Sequence, residues 1–164
     1  MSMIDAGKAA PEFTLPSDEG KSVALSDFRG QFVVLYFYPK DDTPGCTKEA
    51  CAFQDTMGAL KRQRVTVLGV STDSVESHQR FKAKYRLTFP LLSDADKKVL
   101  QAYGAWKEKS MYGRTFMGIQ RMTYIIDPKG KVAKVFPNVR VDGHVEAVQA
   151  ALQKVSDTFE AKSV

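Results

Sequence analysis

Seven consecutive apolar or aromatic residues, Phe32-Val33-Val34-Leu35-Tyr36-Phe37-Tyr38, constrain this chain more than any other feature. With no charged side chain at alternate positions to face water, the run reads as a strand buried on both faces, so helices must cover the sheet on each side. It is less than half of the ~18 residues a membrane-spanning helix needs. The 164 residues, 43% hydrophobic and 26% charged, are expected to form one domain over residues 1–164. A chain of this size buries roughly two thirds of the surface it exposes when unfolded. The first residues, Met1-Ser2-Met3-Ile4-Asp5-Ala6-Gly7-Lys8, carry neither the basic nor the apolar stretch of a secretory signal, so a cytoplasmic location is expected.

Around that strand the pattern alternates between two periods. Residues 13–15 and 22–25 read as short strands about the turn Ser17-Asp18-Glu19-Gly20. After Pro44, Ala50, Phe53, Met57 and Leu60 recur at helical spacing ahead of the strand-like Val65-Thr66-Val67-Leu68-Gly69-Val70, a β-α-β unit. Helices are expected over 75–85 and 96–103, flanking the short segment Phe89-Pro90-Leu91-Leu92. Residues 103–117 read as loop-rich. Residues 122–126 and 131–136 form a hairpin about Asp127-Pro128-Lys129-Gly130, and Val145, Val148, Leu152 and Val155 mark one face of a closing helix. The pattern is that of an α/β protein with a thioredoxin-like fold: a central mixed sheet flanked by helices, with an N-terminal strand extension.

The net charge of +5 invites a nucleic-acid partner, but the basic clusters at 61–64, 82–86, 97–98 and 107–109 are interspersed with acidic residues and form no stripe. No nucleic acid and no membrane are expected among the partners. Two cysteines cannot make an extracellular disulfide framework, and with two distant histidines they give poor ligand spacing for zinc. Reactive thiols are the reading to test next.

Cys46 is placed for such chemistry. Thr43 suits a helix N-cap and Pro44 the first helical position, which sets Cys46 in the first turn, where unsatisfied N–H groups and the helix dipole favour a thiolate. The segment follows the buried strand at the sheet's carboxyl edge, where α/β proteins usually carry their sites. Its spacing, Pro39-x-x-x-Thr43-x-x-Cys46, resembles the active-site motif of the peroxiredoxins, thiol peroxidases with a thioredoxin-like fold. Tyr36-Phe37-Tyr38-Pro39-Lys40 and Thr43-Pro44-Gly45-Cys46-Thr47-Lys48-Glu49-Ala50-Cys51 are similar to the bacterioferritin comigratory protein, or Q-type, branch. So are Leu25-Ser26-Asp27-Phe28-Arg29-Gly30, Gly69-Val70-Ser71-Thr72-Asp73 and Arg121-Met122-Thr123-Tyr124-Ile125-Ile126-Asp127, where Tyr124 replaces the family's more frequent Phe.

The resemblance implies that Cys46 attacks a peroxide oxygen and becomes a sulfenic acid, and that Cys51 resolves it as a disulfide. It implies contacts of Thr43 and Arg121 with peroxide and sulfur, and shielding of the sulfur by Pro39. Hydrogen peroxide and organic hydroperoxides would be the substrates, and thioredoxin or a related dithiol the reductant. Thiol chemistry needs no metal, haem or flavin. A monomer is expected, with a dimer as the alternative. Taken alone, Cys51 could be core packing, Arg121 a surface charge and Thr43 a helix cap. A peroxide-sensing switch or chaperone-like interaction protein on the same fold is the competing function, while a disulfide oxidoreductase is disfavoured by four intervening residues in place of the two of a CxxC motif. His78 is expected to be solvated on a polar helix, His144 to begin the last helix, and Trp106 and Tyr112 to pack over the core. Met111, Phe116 and Met117 are read as an exposed apolar patch.

Overall fold

Residues 2–163 are described by the computed structural model. The chain opens with an antiparallel pair, β1 (Thr14–Pro16) and β2 (Ser22–Ala24), and a 3-10 turn at Leu25–Phe28 before β3 (Phe32–Phe37). Next come α1 (Pro44–Asp55), α2 (Met57–Arg62), β4 (Val65–Ser71), α3 (Val75–Tyr85), β5 (Leu91–Ser93) and α4 (Lys98–Ala102). The last third holds β6 (Trp106–Met111), β7 (Arg114–Ile119), β8 (Met122–Ile126), β9 (Val132–Phe136) and α5 (His144–Ser163). Five strands form the central sheet in the order β5-β4-β3-β8-β9: β3, β4 and β5 run parallel, β8 pairs antiparallel with β3, and β9 antiparallel with β8.

β3 lies at the centre and every residue in it is buried. Its period of two splits the core into two layers. Val33, Leu35 and Phe37 pack with Leu68, Val70, Tyr124 and Ile126 on one face. Val34 and Tyr36 pack with Val67 and Ile125 on the other, against Cys46, Ala50 and Phe53 of α1 and Val145, Val148 and Leu152 of α5. The mixed sheet with helices on both faces is the α/β arrangement read from the sequence.

Two expectations are corrected. The loop-rich region after Tyr103 is a hairpin of its own: β6 and β7 pair antiparallel around Tyr112 and Gly113, both in the left-handed region at φ 52° and 76°. Trp106 packs against the core, but Tyr112 sits at the hairpin tip, 96% exposed, and packs over nothing. The second correction concerns the helical signal after Pro44, which breaks at Thr56 into α1 and α2.

The topology fixes where distant residues meet. α1 springs from the carboxyl end of β3, and the β3–β8 register pairs Phe37 with Met122. Arg121, one residue before Met122, therefore lies at the same sheet edge as the start of α1. Gly69 on β4 gives this arrangement its clearance, since a Cβ there would stand 3.1 Å from the Tyr36 ring and from Leu91 Cδ2. Gly69→Ala is expected to lower unfolding free energy by about 1–3 kcal/mol through overpacking, measured by urea titration; an unchanged midpoint would contradict it.

Candidate active site

Local chemistry starts the helix that carries Cys46. Thr43 is the N-cap, extended at φ −96° and ψ 156°, and Pro44 opens α1. The Thr43 hydroxyl makes no cap bond to the helix; it donates to the Lys40 carbonyl at 2.9 Å. The first-turn N–H groups around Cys46 are thus left without a side-chain cap, and they carry the positive end of the helix dipole. With its proton committed to Lys40, Thr43 Oγ1 presents only lone pairs to anything that approaches it.

Cys46 is buried, 2% exposed, and its Sγ accepts a hydrogen bond from Arg121 Nη2 at 3.4 Å. The other arm of the guanidinium, Nη1, donates to Glu49 Oε1 at 2.6 Å. Glu49 is fully buried one helical turn after Cys46, so the two share a face of α1 and one arginine reaches both. Gly45 lets it pass: a Cβ there would lie 3.3 Å from Arg121 Nη2. The Arg121 backbone is held in turn, its carbonyl accepting from Val139 N at 3.0 Å.

The electrostatics follow from burial. Desolvation pushes the Glu49 carboxyl up to about 7, with Arg121 pulling against it. Burial also works against the charge of Arg121, but Glu49 and Cys46 outweigh it and hold the guanidinium above its ordinary value. His144, the first residue of α5, is pushed down to about 4 by burial and by Arg121; it is neutral and shares a 2.8 Å hydrogen bond with Thr123. Lys109 on β6 is lowered by burial and by Arg121, with Cys46 opposing, which puts the hairpin within electrostatic reach of the thiol. Among the described residues, two buried side-chain atoms lack a hydrogen-bond partner, Tyr36 Oη and Glu49 Oε2. Burial, then Glu49 and Cys46, keep the Tyr36 hydroxyl protonated well beyond its ordinary range.

Of the residues singled out by sequence, the fold brings Cys46 and Arg121 into contact and places Thr43 at the mouth of the same helix. Pro39, half-buried, lies in the loop that precedes it. Cys51 is on α1 with Cys46 and is unbonded. Partial burial, then the nearby Asp55, raises its thiol pKa. Glu49 was not anticipated, although its spacing of three from Cys46 could have revealed it. His78 is the clear miss: it is fully buried, not solvated.

The arrangement is a buried thiol at a helix N-terminus with a cationic donor on the sulfur, suited to nucleophilic attack in which negative charge moves onto a leaving atom. A model of the AhpC/TSA family matches residues 6–135. The chain is 52% identical over 149 residues to a putative peroxiredoxin bcp of Coxiella burnetii, covering 91% of this chain and 99% of that one. It is 47% identical over 148 residues to the peroxiredoxin Bcp of Escherichia coli K12, covering 90% and 95%. Among solved structures, a cysteine-to-serine mutant of the Xylella fastidiosa PrxQ superposes with a TM-score of 0.89 at 38% identity, covering 95% of this chain and 99% of that one. The Xanthomonas campestris bacterioferritin comigratory protein, described for alkyl peroxide reduction activity, gives 0.86 at 40% identity, covering 92% and 98%.

The pH response of Glu49 is testable. Unfolded, its carboxyl titrates near the ordinary 4.5; folded, near 7. Between those values a folded Glu49 binds more protons, so its contribution to stability falls as pH rises. His144, pushed down to about 4, works in the opposite sense over much of the same window, so the effect is read as a difference: thermal melts should show wild type losing stability relative to Glu49→Gln as pH rises, and a difference that does not change with pH would contradict the assignment.

Proposed function

Because this chain belongs to the AhpC/TSA family and is a thiol peroxidase of its Bcp, or Q-type, peroxiredoxins, we propose that Cys46 is the residue oxidised by peroxide and that Cys51 resolves it. The observation that carries this reading is the 3.4 Å hydrogen bond from Arg121 to Cys46 Sγ. Hydrogen peroxide and organic hydroperoxides are the substrates; the alkyl peroxide activity described for the X. campestris relative favours the second class.

In the first step the Cys46 thiolate attacks the nearer peroxide oxygen. The S–O bond forms, the O–O bond breaks, and its electron pair leaves on the far oxygen, which takes up a proton and departs as water or alcohol. The sulfur, oxidised by two electrons, becomes a sulfenic acid. Thr43 Oγ1 accepts the proton of the incoming peroxide, while Arg121 and the first-turn N–H groups donate to the oxygens as charge moves. Pro39 covers the approach.

Ionisation alone supplies little of the rate. For any thiol, a pKa drop from about 8.5 to about 6 raises the thiolate fraction at pH 7 only ~30-fold. With a nucleophilicity slope of about 0.4–0.5, roughly tenfold of that is returned. Stabilisation of the departing charge by Arg121 and its neighbours must dominate.

In the second step Cys51 attacks the sulfenic sulfur, the S–S bond forms and the hydroxyl leaves as water. Five residues apart on an ideal helix, the two Cα atoms stand roughly 8–9 Å from each other. A disulfide needs less than about 7 Å. The first turns of α1 must therefore unwind, which also relieves the burial and the Asp55 charge that keep the Cys51 thiol protonated. A dithiol reductant, thioredoxin or a relative, then returns two electrons and two protons to the disulfide.

Arg121→Ala is expected to slow Cys46 oxidation by about 100-fold or more, measured by stopped flow with the thiolate fraction determined separately. A loss no larger than the change in thiolate fraction would contradict the role given to Arg121. Peroxide-dependent NADPH consumption with thioredoxin and its reductase tests the cycle. Cys46→Ser should abolish both oxidation and turnover, whereas Cys51→Ser should keep the first step and lose turnover. Oxidation of wild type at Cys46 without turnover on any dithiol would instead favour a peroxide-sensing switch.

A further inference from the structure

α3 moors the loop in front of α1 through a buried hydrogen-bonded pair that takes no part in the peroxide chemistry. His78 of α3 is fully buried, with Nδ1 2.7 Å from Asp41 Oδ2 and Nε2 3.0 Å from the Leu92 carbonyl oxygen. Asp41 accepts further from the Tyr38 hydroxyl at 2.6 Å and the Ser77 hydroxyl at 2.8 Å. The ring is thus wedged between the Asp41 carboxyl on one side and the Leu92 carbonyl on the other. The Asp41 amide donates to Asp73 Oδ2 at 2.8 Å, which also takes the Ser71 hydroxyl. Asp42, left-handed at φ 58°, is tied to the same helix by Lys84 at 2.8 Å and the Tyr85 hydroxyl at 2.7 Å. The next residue is Thr43.

We propose that the hydrogen-bonded His78–Asp41 pair is a positioning device for peroxide reduction. It fixes the loop over residues 38–43 so that Thr43 and the first turn of α1 meet the peroxide in one geometry. The inference rests on the reading of Cys46 as the oxidised residue. His78 touches neither sulfur nor substrate and acts through the loop. Without the ring, Asp41 loses its link to α3 through Nδ1, and the loop slackens. The titratable groups facing it are Tyr38 from the end of β3, Asp41 from the loop and Asp73 from the turn after β4; β5 contributes the Leu92 carbonyl.

The test measures the rate of Cys46 oxidation by hydrogen peroxide, located by mass spectrometry, in wild type, His78→Leu and His78→Asn at one neutral pH. Asn can bring an amide nitrogen near the position of Nδ1 and donate to Asp41. His78→Leu should be slower by about tenfold or more, since small misplacements of reacting groups cost at least that. His78→Asn should recover to within about threefold of wild type. A His78→Leu protein as fast as wild type overturns the proposal. So does a folded His78→Asn protein slower than wild type by more than about threefold, which decides the matter even if His78→Leu fails to fold. Failure of wild type to oxidise at Cys46 overturns the reading beneath it and this inference with it.

Discussion

One guanidinium sets the terms for this molecule. Arg121 donates to the Cys46 sulfur and to the Glu49 carboxyl from its two arms, and both of those partners are buried. A buried charge is tolerable when paired and costly when not. The thiol, the carboxyl and the arginine therefore form a unit whose members depend on one another. Its assembly needs α1 folded, since Cys46 and Glu49 meet Arg121 together only because they lie one turn apart on the same helix face.

That dependence creates a conflict between the two halves of the cycle. Attack on peroxide needs the folded first turn, with its free N–H groups, its cationic donor and the lone pairs of Thr43. Disulfide formation with Cys51 needs the same turn melted. The anchoring is divided accordingly: the loop before α1 is tied to α3 through Asp41 and Asp42, whereas α1 itself is held at its exposed side by the Lys48–Asp142 ion pair and at its buried side by contacts that oxidation of Cys46 disturbs. Melting can be confined to α1 while the loop stays in place.

Much of this was legible in the residues. The apolar run at 32–38 announced the doubly buried central strand, and Thr43-Pro44 announced a helix start with Cys46 in its first turn. The turn Asp127-Pro128-Lys129-Gly130 between two strand-like segments announced the β8–β9 hairpin, at whose start Arg121 stands. What was not legible has physical causes. The β6–β7 hairpin turns on Tyr112-Gly113, not on the Asn-Gly or Asp-Gly pair that usually signals such a turn, and its strands carry no buried face to produce alternation. His78 looked solvated because its neighbours on α3 are polar, yet its partners, Asp41 and the Leu92 carbonyl, come from distant segments that local pattern cannot bring together. Glu49 was masked in the same way, since a carboxylate on a helix is read as exposed until the arginine that buries it is known. The Thr43 hydroxyl proved to be spoken for by Lys40, a detail that residue type does not carry.

Hydrogen exchange in the reduced and the fully oxidised protein would expose the conflict between the two states. Amides across residues 44–56 should lose protection on oxidation, while those of α3 keep theirs. Equal protection of 44–56 in both states would mean that the sulfurs pair without melting the helix, and the mechanism built on Arg121 and a folded first turn would have to be abandoned.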